Sequence, residues 1–220
     1  QGVSSAASDV YKRQKLVSNN STLVGCRIPR NKLAKKLITL FGLPIAAPSA
    51  NLSERTSVTN IMDIDPILVK KIFVLKDKQS SHGLESTVVR IDTNNEIEVL
   101  RYGSITVEEL NKYAKVKIKK KSSISPGNLK KHYSTLKPIR MNAKRILKNE
   151  GLLNFGNNKL KSKIINLNLS NKKNLNEAAK NFYHYLHKLD QSRCKKIAVV
   201  EIPDKGLGKT INDRLRRAIK

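Results

Sequence analysis

"KSKIINLNLSNKKNLNEAAKNFYHYLHKLDQSRCKKIAVVEIP", Lys161 to Pro203, reads as a strand, a helix and a second strand in one unit. The opening "KSKIINLNL" and closing "KKIAVVEIP" are short apolar runs of strand length. Between them Asn174 and Glu177 mark a helix start, and Leu175, Ala178, Ala179, Phe182, Leu186 and Leu189 recur at helical spacing as its inward face. A further helix, "TINDRLRRAIK", follows from Thr210. Strand, helix, strand, helix predicts a small parallel sheet with right-handed crossovers.

Nearer the amino end a similar alternation occurs. "TLVGCRI" (residues 22–28) and "LPIAAP" (43–48) read as short strands flanking a helix, "NKLAKKLITLFG". Asn31 caps that helix, Leu33, Leu37, Leu40 and Phe41 form one face, and Gly42 ends it. "STVVRID" and "IEVLRYG" read as strands across an Asn94-Asn95 turn, and Thr106 with Glu109 forms a capping box ahead of "VEELNKYA". The fold class is α/β. Residues 116–141, basic and punctuated by Ser, Pro and Gly, read as a linker or functional loop.

A chain of 220 residues with 39% hydrophobic content can bury a core. It has no apolar run long enough for a membrane span and no signal-peptide core, so the cytosol is the expected compartment. Cys26 and Cys194 are far apart in apolar surroundings and read as buried free thiols. Residues 1–14, "QGVSSAASDVYKRQ", resemble translated vector or adapter DNA and are expected to be a non-native leader.

The net charge of +27, from 44 Lys and Arg against 17 Asp and Glu, fits a polyanionic partner, or the lysine that A/T-rich codons supply. Its distribution is informative: Lys115 to Lys148 holds twelve basic residues and no acid.

Several stretches invite chemistry. Gly208-Lys209-Thr210 follows a strand, but a phosphate-cradling loop needs glycine where Pro203 stands, which favours a structural glycine turn. His184 and His187 have metal-ligand spacing without accompanying acids or cysteines, and beside Tyr183 and Tyr185 they read as surface residues. "PSANLSERTSVT" crowds Ser49, Asn51, Ser53, Ser57 and Thr59 after a strand, where short polar groups bind anionic oxygens. Spacing alone favours an ordinary capped turn there. "HGLESTVVRI" repeats the theme with Glu85, Ser86 and Thr87, and His132-Tyr133 lies in the basic loop.

In order and spacing, "CRIPRN", "PIAAPSANLS", "GLESTVV", "VLRYGSIT", "SPGNLKKHY" and "GLGKTINDRL" resemble the longer two-domain form of the threonylcarbamoyl-AMP synthase family, from Leu23 to the last residue. The resemblance implies a YrdC-like twisted mixed sheet with flanking helices over residues 15–115, incomplete at its amino end. A basic linker or lid at 116–141 and a small Rossmann-like domain at 142–220 would follow. It also implies synthesis of L-threonylcarbamoyladenylate from L-threonine, bicarbonate or CO2 and ATP, with Mg2+ accompanying the ATP and pyrophosphate released. The product would pass to the tRNA threonylcarbamoyl transferase complex for modification of adenosine 37.

Carried over by resemblance, Arg27, Ala47 and Ser86 contact threonine, while Ser49, Asn51, Ser57, Arg101 and Tyr133 serve ATP. None is an obvious general base, so positioning and electrostatics should dominate. The family pattern S-G-x-x-S-P-T stands here as Ser53-Glu54-Arg55-Thr56-Ser57-Val58-Thr59, and its paired glycines before "EST" stand as "DKQSSHG". A second reading is a non-catalytic module that contacts tRNA or another RNA through its basic surface.

The family's T-x-T-V-Y-G-L and K-x-R segments have no counterpart here, so the resemblance implies a half-built site with weak or no synthase activity. Isothermal titration with ATP and threonine checks this, and micromolar binding of both would overturn it.

Overall fold

The computed structural model describes residues 23–47, 49–52, 54–75, 82–91, 94–118 and 133–219. The chain divides into two compact units, Gln1–Pro48 and Ser49–Lys220.

In the first unit one helix stands out, α1 (Lys32–Phe41). The Asn31 side chain accepts the Ala34 N–H at its start, and Gly42, at φ 72°, closes it in the left-handed region. Both caps are as the sequence predicts. The flanking strands predicted at 22–28 and 43–48 are absent from the described residues there, because extended backbone becomes a strand only where a neighbour supplies a ladder. Cys26 is exposed, contrary to the expectation of a buried thiol, since apolar neighbours in sequence shelter nothing until they pack.

The second unit opens with a 3-10 turn (Ile61–Asp63) and a short helix, α2 (Pro66–Val69). A mixed sheet follows: β1 (Val88–Ile91) pairs antiparallel with β2 (Ile97–Arg101), which pairs parallel with β3 (Val116–Ile118). Asn95, at φ 55°, makes the hairpin turn. Between β2 and β3 lies α3 (Val107–Leu110), where Thr106 and Glu109 form both halves of the predicted capping box.

The carboxyl half is a four-stranded, wholly parallel sheet in the order β4-β7-β5-β6, as the alternation predicts. Its strands are β4 (Ile139–Arg140), β5 (Glu150–Asn154), β6 (Asn166–Asn168) and β7 (Lys196–Val199). Two helices accompany them, α4 (Leu175–Gln191) and α5 (Leu207–Ala218). Sequence reading missed β4 and β5, and overextended β6. The inner strand β5 is buried at every position, so it lacks the alternation that marks a half-exposed strand. It is held by Arg140, whose guanidinium grips Glu150 through both oxygens at 2.9 and 2.6 Å.

Leu152 and Leu153 of β5, Ile197 and Val199 of β7, Phe182 and Leu186 of α4, and Ile211 and Leu215 of α5 form the core. Leu84 and Tyr133 belong to the same cluster, so the core extends to the turn before β1. No helix among the described residues is long and apolar enough to cross a membrane.

That extension depends on Gly83. It sits at φ 63°, and a Cβ there would lie 2.2 Å from the Ala179 carbonyl oxygen and 2.4 Å from the Lys180 Cα. Replacement by alanine adds left-handed strain to a collision with helix backbone. Gly83→Ala is expected to cost about 2–4 kcal/mol, measured by chemical denaturation.

Candidate functional site

The turn after Ser49 is built by Asn51. Its Nδ2 donates to the carbonyls of Leu52 at 2.9 Å and Arg55 at 3.1 Å. Glu54, which stands where the family pattern has glycine, adopts φ 64°, a conformation that favours glycine. The Glu54 carbonyl accepts the Ser134 N–H at 2.8 Å, and Arg55 and Ser134 form an isolated parallel bridge. The turn is thus tied to the chain beside Tyr133. Ser49 is exposed, and Ser57 is half-buried.

The Ser57 hydroxyl donates to Glu85 Oε1 in a short hydrogen bond. Glu85 also accepts the Tyr183 hydroxyl at 2.6 Å and Arg214 Nε at 3.0 Å. Burial by itself would raise this carboxyl's pKa, but the Arg214 charge and the hydrogen bonds from Ser57 and Tyr183 outweigh it and leave the value lowered. Tyr183 is held well above the usual tyrosine range by burial and then by the Glu85 charge, so it is a donor at neutral pH.

Arg214 has no exposed side-chain surface. Besides Glu85, it donates to the Tyr102 carbonyl at 2.6 Å and to Asp213 Oδ2 at 2.5 Å, and its Cζ lies 4.6 Å from the centre of the Tyr133 ring. One guanidinium therefore touches "GLEST", "LRYG" and Tyr133 together. Around it, Arg101 Nη2 donates to the Ser86 carbonyl at 2.9 Å. Gly103 allows the two segments to meet, since a Cβ there would lie 2.2 Å from the Thr87 nitrogen.

Of the sequence-predicted residues, Asn51, Ser57, Ser86, Arg101 and Tyr133 thus belong to connected parts of this network. Tyr133 is 2% exposed, at φ 65°, with its ring 6.1 Å from that of Tyr183. Arg27 and Ala47 are exposed in the first unit, described by itself, and His132 lies outside the described residues. Tyr183, expected at a partly exposed face, is fully buried because it follows Ala179 by one helical turn on the inward side.

The two histidines of α4 are half-buried rather than superficial. His187 Nε2 lies 3.1 Å from Thr56 Oγ1, and His184 Nδ1 lies 3.1 Å from Asp63 Oδ2. No group of three metal-ligating side chains exists among the described residues. The Gly-Lys-Thr triplet is a structural turn: a Cβ on Gly208 would lie 2.0 Å from the Pro203 oxygen. Thr210 is spent on the Gly103 carbonyl at 3.0 Å, and Lys209 Nζ lies 5.0 Å from the Tyr102 ring centre.

Sequence reasoning assigned no role to Arg214. The available signal was its position: Ile211, Arg214, Leu215 and Ala218 share one helical face, and an arginine on an apolar stripe implies a buried partner.

Residues 105–219 match the family described as threonylcarbamoyl-AMP synthase, C-terminal domain. The chain belongs to that family. Residues 6–103 match a second family, described as telomere recombination. Among curated proteins, the threonylcarbamoyl-AMP synthase of Pyrococcus abyssi is 25% identical over 232 residues, covering 93% of this chain and 66% of that protein. That of Bacillus subtilis is 29% identical, over 89% of this chain and 62% of the relative. The Schizosaccharomyces pombe protein is 32% identical over 54% of this chain and 32% of its own length. The chain therefore spans just under two thirds of the first two relatives.

The crystal structure of P. abyssi Sua5 complexed with L-threonine resembles it with a TM-score of 0.80 at 22% identity, over 99% of this chain and 75% of that one. A doubly substituted form of P. abyssi Sua5 gives 0.74 at 23%, over 93% and 65%. At these identities the likeness establishes the two-part α/β fold.

Removing one partner of a buried ion pair leaves an uncompensated charge, so Arg214→Met is expected to cost about 3–5 kcal/mol by chemical denaturation. Because the folded pKa of Glu85 lies below its ordinary value of 4.5, the pair's contribution is full above that pH and is lost as pH falls through the lowered value. The slope of stability against pH below 4.5 is accordingly expected to be shallower in Glu85→Gln.

Proposed function

We propose that the chain serves in the synthesis of L-threonylcarbamoyladenylate from L-threonine, bicarbonate or CO2 and ATP, with release of pyrophosphate. The observation that carries this reading is the Ser57–Glu85 hydrogen bond. It joins the polar turn that follows "PSAN" to the "ESTVV" segment, and the family membership of residues 105–219 adds support.

In this reading the carbamate of threonine attacks the α-phosphate of ATP. By the resemblance, Arg27 serves the threonine carboxylate as a fork, and Ala47 and Ser86 are likewise assigned to threonine. Ser49, Ser57 and Arg101 meet the nucleotide, Asn51 keeps their turn in shape, and Tyr133 supports the nucleotide side from the linker. ATP enters as its Mg2+ complex, with the phosphates as the cation's principal ligands.

Glu85 is a poor proton acceptor, being held ionised by Arg214, so its role is structural. The single proton of Ser57 goes to Glu85, and binding a phosphate oxygen requires that hydroxyl to turn away. Tyr183 and Arg214 keep the carboxylate satisfied when it does. Rate enhancement would then come from orientation and preset dipoles. The adenylate would pass to the transferase complex that modifies tRNA adenosine 37.

Pyrophosphate release from ATP tests the reading. The expected outcome is slow release that requires both L-threonine and bicarbonate and falls about tenfold or more in Ser57→Ala, the loss of an oriented polar contact to phosphate. Release indifferent to threonine, or release unchanged in Ser57→Ala, overturns it.

A further inference from the structure

Codon bias scatters lysine across a surface, but in the carboxyl half the charge is sorted. The four strands run parallel, so their amino ends share one edge. Ile139, Ile197 and Gly151 lie level across the sheet, and two residues earlier the chain reaches Lys137, Lys195 and Asn149. The loop entering β6 joins the same edge, because the Ser162 hydroxyl donates to the Glu150 carbonyl at 2.5 Å. Likewise Arg145 is drawn in through its carbonyl, 2.8 Å from Arg140 Nη2, and the Lys195 N–H meets the Asn149 carbonyl at 2.8 Å.

Arg145, Lys148, Lys161, Lys163, Lys195 and Lys196 are brought together there, and all six are exposed. None closes a salt bridge among the described residues, although the field of Glu150 reaches Lys196. The acids of that edge are committed elsewhere. Glu150 is 1% exposed and gripped by Arg140, while Asp190 accepts the N–H groups of Leu136 and Lys137, each at 2.9 Å. The end of α4 is served by Lys137, whose Nζ donates to the Leu189 carbonyl at 3.0 Å. By contrast Glu177, Glu201 and Asp204 lie beyond the carboxyl ends of the strands.

We propose that this amino-end edge of the parallel sheet docks the phosphate backbone of an RNA. The three adjacent strands β7, β5 and β6, about 4.8 Å apart, spread the cations along a rigid line on the order of 10 Å, suited to an extended polyanion. The one aromatic residue of the loops contributing them, Phe155, is buried in the core, so contact is with phosphate rather than stacked bases. A protein partner would ask for an apolar centre and a membrane for an apolar anchor, whereas Leu147 and Ile164, 45% and 39% exposed, are the large aliphatics shown there. The proposal needs no nucleotide and stands apart from the adenylate reading.

Fluorescence anisotropy with a labelled mixed-sequence RNA of ~20 nucleotides, titrated across KCl concentrations, tests it. The triple variant Lys163→Glu, Lys195→Glu, Lys196→Glu is expected to weaken binding about tenfold or more and to lower the salt slope by about 2, three phosphate contacts at roughly 0.7 each. The pair Lys172→Glu and Lys205→Glu, exposed elsewhere on the same half, is expected to change affinity less than about twofold. Equal weakening by both sets overturns the proposal, as does absence of RNA binding by the wild-type chain. Binding of poly-glutamate or anionic phosphatidylserine vesicles as tightly as RNA, with the same dependence on the three lysines, also overturns it.

Discussion

An arginine without solvent must have every charge-bearing direction answered, and Arg214 imposes that requirement on the whole second unit. Glu85, the Tyr102 carbonyl, Asp213 and the face of Tyr133 answer it. Those groups come from the turn before β1, the end of β2, α5 itself and the segment before β4. Satisfying one guanidinium therefore fixes the carboxyl half against the sheet that carries the polar turns. A lysine could not do this, because a point charge lacks the fork that reaches a carboxylate and a carbonyl together.

The same pair constrains the chemistry. A carboxylate beside serine and tyrosine hydroxyls resembles a general base on inspection, yet burial is outweighed by Arg214 and two hydrogen bonds, and Glu85 stays ionised and weakly basic. Its use is to tie the Ser57 turn to the "EST" segment and hold Tyr183 as a donor. This agrees with a site that works by placing ligands and offering fixed dipoles rather than by moving protons.

Much of the local architecture was legible because its causes are local. Asn31, Gly42, Thr106 with Glu109, and Asn174 cap helices through bonds spanning a few residues, and all four appear in the fold. Alternation of strand and helix foretold the parallel sheet. What failed was whatever needed a neighbour: the strands expected at 22–28 and 43–48, and the burial of Cys26. The fully buried β5, whose "EGLLN" carries no alternation, was missed for the complementary reason. In the site, Ser57, Ser86, Arg101 and Tyr133 were named from motifs. Arg214 and Tyr183, which connect them, were not, because their partners are remote.

By itself the sequence determined the places of the longer helices and the caps at Asn31, Gly42, Thr106 and Asn174, the α/β class, the parallel character of the carboxyl sheet and the polar turns around Asn51 and Ser86. Short-range hydrogen bonding and the helical and strand periods suffice for these. Only the tertiary structure decided that Arg214 meets Glu85 across 129 residues, that Tyr183 faces inward to the same carboxylate, and that lysines from separate loops share one edge. Each depends on elements distant in sequence, and no local period records where such elements will pack.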